Sequence, residues 1–192
     1  MRLELFFKTT PQLISAVQYG IGAGFTKFNL ANKDKKDTTI DWGKRILACS
    51  SNNDASSSNN DANGDLDVST DLDVCTHYSL KNNIATDKET MFNHFVNYLH
   101  TASDGNIREV LVVSGSKKPK LDTVQCLEKL TVQDKRGVKL GIAYNPYFPE
   151  TEDQAKENHR LAQKLSTQMV DSVWIQIGCD LDKLKQGIGY RV

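Results

Sequence analysis

A chain of 192 residues falls within the size of one domain and is long enough to bury one substantial core. Lys plus Arg and Asp plus Glu both number 24, so the net charge is zero, and there is no overall basic field of the kind that gathers nucleic acid or anionic membrane. No apolar run reaches the roughly 20 residues that cross a bilayer, and Met1 to Lys8, with Glu4 among apolar residues, lacks the organisation of a signal peptide. Cys49, Cys75, Cys126 and Cys179 lie far apart with no CxxC pair, which reads as ordinary buried thiols and not as a metal or redox motif. The expectation is a cytoplasmic chain in a reducing compartment, with no nucleic-acid or membrane partner and no metal.

Leu3 to Phe7 is β-favouring, and a helix over Pro11 to Tyr19 follows, entered through Thr9 and Thr10 with Pro11 at its start. Gly20, Gly22 and Gly24 precede the next strand, Phe25 to Leu30. A dinucleotide loop needs its glycines after a strand and before a helix, so these read as a helix stop and turn. A charged loop, Asn32 to Asp37, leads into a short helix over Thr38 to Leu47. Residues 50–71 are almost entirely Ser, Asn, Asp, Ala and Gly, a composition too poor in large apolar groups to offset the entropy of ordering. They read as a disordered polar insert within a single domain of residues 1–192.

Val74 to Leu80 reads as a strand and Asp87 to Ala102 as an amphipathic helix, capped by Asp87, with Met91, Phe95 and Leu99 on one face. Ile107 to Val113 is a β-branched run suited to a strand buried on both faces. A helix over Leu121 to Thr131, a strand over Val138 to Tyr144 and a helix over Glu152 to Met169 come next. Val173 to Ile177 is the last clear strand, and a helical start spans Asp180 to Gln186. With the insert removed, this makes six β-α units of about 30 residues each, the spacing of parallel strands joined by crossover helices. Periodicity leaves two closures open, a doubly wound sheet and a (β/α)8 barrel.

Either closure gathers active groups at the carboxyl ends of the strands. Those ends carry Glu4, Asn29, His77 with Ser79, Ser114-Gly115-Ser116, Tyr144-Asn145-Pro146, and Gln176 with Asp180. The set can bind a small polar ligand. Plainer readings stand beside it: Glu4 pointing out of an edge strand, and His77 as a hydrogen-bonded core histidine. Gln176, within Val-Trp-Ile-Gln-Ile, is harder to read as inert, because a buried amide must find partners.

Together these segments resemble the methylenetetrahydrofolate reductase family. Leu3-Glu4-Leu5-Phe6-Phe7 resembles its first strand, a glutamate among aromatics, and Asp37-Thr38-Thr39 resembles the segment after its second. Thr76-His77-Tyr78-Ser79 is similar to the His-x-Thr strand beside the flavin. Ile107 to Ser116 corresponds to the strand that ends in Arg-Gly-Asp. Gly141-Ile142-Ala143-Tyr144-Asn145-Pro146 with Pro149-Glu150 is similar to Gly-Val-Ala-Gly-Tyr-Pro-Glu. Glu157 to Lys164, Trp174-Ile175-Gln176 and Asp180 resemble the following helix and its Thr-Gln strand.

The resemblance implies an α/β fold of the parallel (β/α)8 TIM-barrel type. It implies FAD as cofactor, NAD(P)H as co-substrate, and reduction of methylenetetrahydrofolate to methyltetrahydrofolate. Glu4 is then the general acid that opens the folate's bridging ring, a task suited to a partly buried carboxyl. Gln176 meets the pterin and Asp180 stands with it on the substrate side. His77, Gly115, Ser116 and Tyr144 lie against the flavin, and Lys164 with Arg160 meets its phosphates. Two departures follow from the same comparison. Ser114-Gly115-Ser116 replaces Arg-Gly-Asp, removing an aspartate from the flavin side, and six units stand where a barrel has eight. The second departure implies a fragment, a homo-oligomer or a partner chain that completes the barrel, and both admit a flavin- or folate-binding relative without turnover.

Overall fold

The computed structural model describes residues 2–5, 7, 9–31, 39–51, 72–82, 85, 87–114 and 120–189. The expected charged loop at 32–37 and nearly all of the expected insert at 50–71 lie outside them.

The first strand, β1 (Leu3–Leu5), is shorter than expected, and α1 (Thr10–Gly22) follows it. Thr9 caps this helix, its hydroxyl accepting from the Gln12 amide, and Pro11 occupies the first turn, where a missing N–H costs nothing. The helix runs through Gly20, which does not stop it. A Cβ there would lie 2.9 Å from the Phe28 ring, so this glycine permits close packing of helix on sheet. Gly24, at φ +83°, supplies the left-handed residue that turns the chain into β2 (Lys27–Leu30).

The remaining elements are α2 (Thr39–Ser51), β3 (Asp73–Ser79), α3 (Lys88–Asp104), β4 (Glu109–Val113), α4 (Thr123–Lys129), α5 (Val132–Lys135), β5 (Lys139–Tyr144), α6 (Thr151–Ser166), β6 (Ser172–Ile175) and α7 (Leu181–Gly189). One helix was expected over Leu121 to Thr131, and two are found. Leu130 is extended, and Thr131 opens α5 with a capping box to Asp134, so the threonine hydroxyl competes successfully with helix continuation.

The sheet runs β1-β2-β3-β4-β5-β6, with every neighbouring pair parallel. A doubly wound sheet reverses its order at a switch point, and this one does not. Its strands wind in sequence order and curl into a half-barrel, with β1 and β6 at the edges. The described residues supply six strands of a barrel-type sheet; an eight-stranded closure is not among them.

Helices cover the convex face. The expected stripe of α3 is buried there, with Phe95 and Leu99 wholly enclosed and Met91, Tyr98 and Ala102 beside them. Burying a side chain such as Phe95 contributes about 2–3 kcal/mol. Phe28, Leu30 and Val74 meet Leu13, Val17 and Ile46 from α1 and α2. Val110, Val112, Leu140 and Ile142 meet α3, α4 and α6. One polar pin crosses this layer: the Thr39 and Tyr98 hydroxyls bond at 2.8 Å, and Tyr98 donates to Thr76 Oγ1 at 2.8 Å. No described helix is long and apolar enough to cross a membrane.

Candidate functional site

Because side chains alternate along a strand, those not packed under the helices face the concave side. Arg2, just before β1, donates to Asp73 Oδ2 at 2.9 Å on β3 and to Glu109 Oε2 at 2.6 Å on β4. Its guanidinium also lies 5.5 Å from the Trp174 ring centre on β6. Along the sheet, the edge strands are five spacings apart, about 24 Å. Such contacts can form only across the inside of a strong curl. Ser172 extends the network, donating to Glu109 Oε1 at 2.9 Å and accepting from Trp174 Nε1 at 3.1 Å. This cluster runs along the concave face from the strand starts at Asp73 and Glu109 up to Trp174, which pairs with Ala143 in the carboxyl half of β5.

His77 lies two residues further along β3 than Cys75, whose register row holds Glu4, Asn29 and Glu109. Glu4, Asn29 and Cys75 are successive register partners, and Asn29 Nδ2 donates to Glu4 Oε1 at 3.4 Å. With Nδ2 donating to Glu4, the Asn29 amide oxygen is turned the other way, where Oδ1 is buried without a partner. His77 is half-buried and its Nε2 is also buried and unpartnered. Burial alone pushes its pKa down to about 4, so the imidazole is neutral at pH 7. Glu4 is exposed on the edge strand β1, in line with its plainer reading, and is not the partly buried carboxyl that the resemblance implies.

Lys164, on α6, is 6% exposed and donates to the Ala143 carbonyl at 3.2 Å, near the carboxyl end of β5. Burial lowers its pKa; Glu157 and Asp122 oppose that shift and Arg160 adds to it. A buried ammonium is costly unless an anion meets it. Arg160 lies one turn away and is paired at 3.5 Å with Asp122, which also caps α4 by accepting from the Gln125 amide at 3.0 Å.

Tyr144 is on the other side of the sheet. It falls in phase with Leu140 and Ile142, is 3% exposed, and donates to Asn158 Oδ1 on α6 at 2.8 Å. It lines a cavity of about 180 Å³ with Pro146, Phe148, Gln154 and Lys183, on the helical side and away from His77. Gln176 follows β6 and is exposed, its backbone N–H donating to the Tyr144 carbonyl. It is therefore not the buried amide expected. Asp180 is also exposed and accepts from the Lys183 amide at 3.0 Å, acting as an N-cap for α7. Gly115 and Ser116 lie outside the described residues. Ser114, before them, shares a hydrogen bond of 2.6 Å with Thr123.

The geometry thus brings Glu4, Asn29 and His77 to one concave face, with Lys164 beside the carboxyl end of β5. It does not bring Tyr144, Arg160 or Asp180 to that face. Cys75 and Cys126 are buried as expected, and burial pushes Cys126 up to about 12; Cys179 is exposed, against expectation. The sequence reading missed Arg2, Glu109, Ser172 and Trp174. Their signal was parity: Ser172 and Trp174 alternate with Val173 and Ile175, as Glu109 alternates with Val110. No protein-family model matches the chain, and a search of curated proteins returns no match.

Proposed function

We propose that the chain binds FAD on the concave face of its sheet and acts as an oxidoreductase of the methylenetetrahydrofolate reductase type, with NAD(P)H as co-substrate. The observation that carries this reading is the pair of buried, unpartnered atoms His77 Nε2 and Asn29 Oδ1 on the concave face. Native interiors rarely leave polar atoms unpaired, and such atoms mark places where a partner is missing.

His77 and Lys164 fit the flavin that the resemblance implies. A bound FAD would supply hydride transfer between the two substrates. His77, neutral and fixed in the sheet, would meet the ring system through a hydrogen bond at Nε2. Lys164 would meet the diphosphate in a low-dielectric setting, where ionic attraction is strongest. Glu4 would deliver a proton from its carboxyl to a folate nitrogen, and the Asn29 amide, bonded to Glu4 Oε1, would orient that carboxyl. Gln176, at the open rim, would reach the substrate's polar edge.

The exposure of Glu4 favours a second reading, a flavin- or folate-binding relative without turnover. Anaerobic stopped-flow kinetics separates the two. For the reductase, NAD(P)H is expected to bleach protein-bound FAD and methylenetetrahydrofolate to restore its colour. Glu4→Gln is expected to slow only the second step, by roughly 10²–10⁴-fold, the usual worth of a positioned general acid. A flavin that NAD(P)H does not reduce, or a folate step that Glu4→Gln leaves unchanged, contradicts the assigned activity.

A further inference from the structure

Trp174 is held on several sides. A Cβ at Gly141 would lie 2.6 Å from Trp174 Nε1 and 2.9 Å from Cδ1, so the indole lies against β5 only because residue 141 has no side chain. The indole N–H donates to Ser172 Oγ, Ser172 donates to Glu109, and the Arg2 guanidinium lies against the ring. The side left for contact meets His77, ring centres 6.4 Å apart and planes at 85°. Three strands therefore fix one large ring beside the imidazole.

We propose that Trp174 is a positioning residue for the concave-face site: its indole shields the His77 ring from water and holds it in the orientation in which it meets a ligand. The proposal rests on the reading of that face as the FAD site. Shielding has no electrostatic competitor in the same row. The register partners running from His77 are Leu111, Gly141 and Ser172, none of them charged. Arg2, Lys27, Asp73, Glu109 and Lys139 lie at or before the strand starts, Glu4 is on the edge strand β1, and Cys75 is one row lower. Removing the indole should admit water to the imidazole and free its rotation, whereas a smaller aromatic ring should keep both constraints.

The test uses the full chain with isotope-labelled histidine, followed by NMR across pH, with His77 assigned through His77→Gln. Trp174→Ala is expected to raise the His77 midpoint from about 4 toward the ordinary value near 6.5, while Trp174→Phe keeps it near the wild-type position. In the same preparations, FAD affinity is expected to fall about tenfold in Trp174→Ala and to stay within about threefold in Trp174→Phe. Trp174→Leu replaces the alanine variant if the latter does not fold. An unchanged His77 midpoint in a folded Trp174→Ala chain overturns the proposal. So does an FAD affinity equal to wild type, which leaves the flavin reading standing. A wild-type chain that takes up no FAD overturns that reading and the positioning role with it, even where the His77 shift is seen.

Discussion

His77 brings an ionisable ring into a half-buried position with no carboxylate to compensate it, and its pKa of about 4 follows from burial alone. That makes folding stability depend on pH in a defined window. Above about 6.5 the ring is neutral in both the folded and unfolded chain and contributes no pH dependence. Between about 6.5 and 4 the unfolded chain binds a proton that the folded chain does not, so stability falls as pH falls through that range. A displacement from the ordinary value to about 4 corresponds to a loss on the order of 3 kcal/mol by pH 4. The caps Asp87 and Asp134 are held down by hydrogen bonds from Thr90 and Thr131, so their stabilisation is present above the ordinary carboxylate range and is lost below it. Denaturant titrations at pH 7, 5 and 4 are expected to show a steeper acid loss in wild type than in His77→Gln. Parallel losses would contradict a buried neutral imidazole.

At the scale of elements, the hydroxyl chain Thr39–Tyr98–Thr76 ties α2 and α3 to β3 inside an otherwise apolar layer. Tyr98→Phe keeps the ring contacts with Tyr78, whose ring centre is 4.8 Å away, but takes away the hydroxyl that both threonines use. The expected cost is about 1–3 kcal/mol in chemical denaturation, the penalty of stranding buried hydroxyls. A cost below about 0.5 kcal/mol would show that the threonines find other partners. The position of α3 was legible in the sequence because Met91, Phe95 and Leu99 recur at helical spacing and Asp87 caps them, and the structure keeps both features. The break between α4 and α5 was not, because it depends on whether the Thr131 hydroxyl bonds its own backbone or lets the helix continue. Tyr144 shows a different failure: its parity with Leu140 and Ile142 pointed to the helical face, and its place at a strand end outweighed that signal.

At the scale of the molecule, alternating strands and helices were legible, but neighbour order was not, since hydrophobic period records which face is buried and not which strand lies alongside. The order β1 to β6 without reversal sets aside the doubly wound sheet and leaves six strands of a barrel-type half-barrel among the described residues. The concave network was equally hidden: Arg2 and Glu109 lie 107 positions apart, and only the curl brings them to 2.6 Å. Of the candidate site, His77 and Glu4 could be found from strand ends, whereas the fit of Trp174 onto Gly141 required the register of β5 and β6. The proposed FAD site on the concave face, with Lys164 at the phosphates, can be tested by calorimetric titration of FAD into wild type and Lys164→Met. Saturable binding of one FAD per wild-type chain is expected, with at least a roughly tenfold weaker affinity in Lys164→Met. Stability of Lys164→Met should equal or exceed wild type, because an apolar chain of similar volume removes a buried charge. No binding to the folded wild-type chain would rule out the FAD site, and equal binding by both would remove Lys164 from the phosphates.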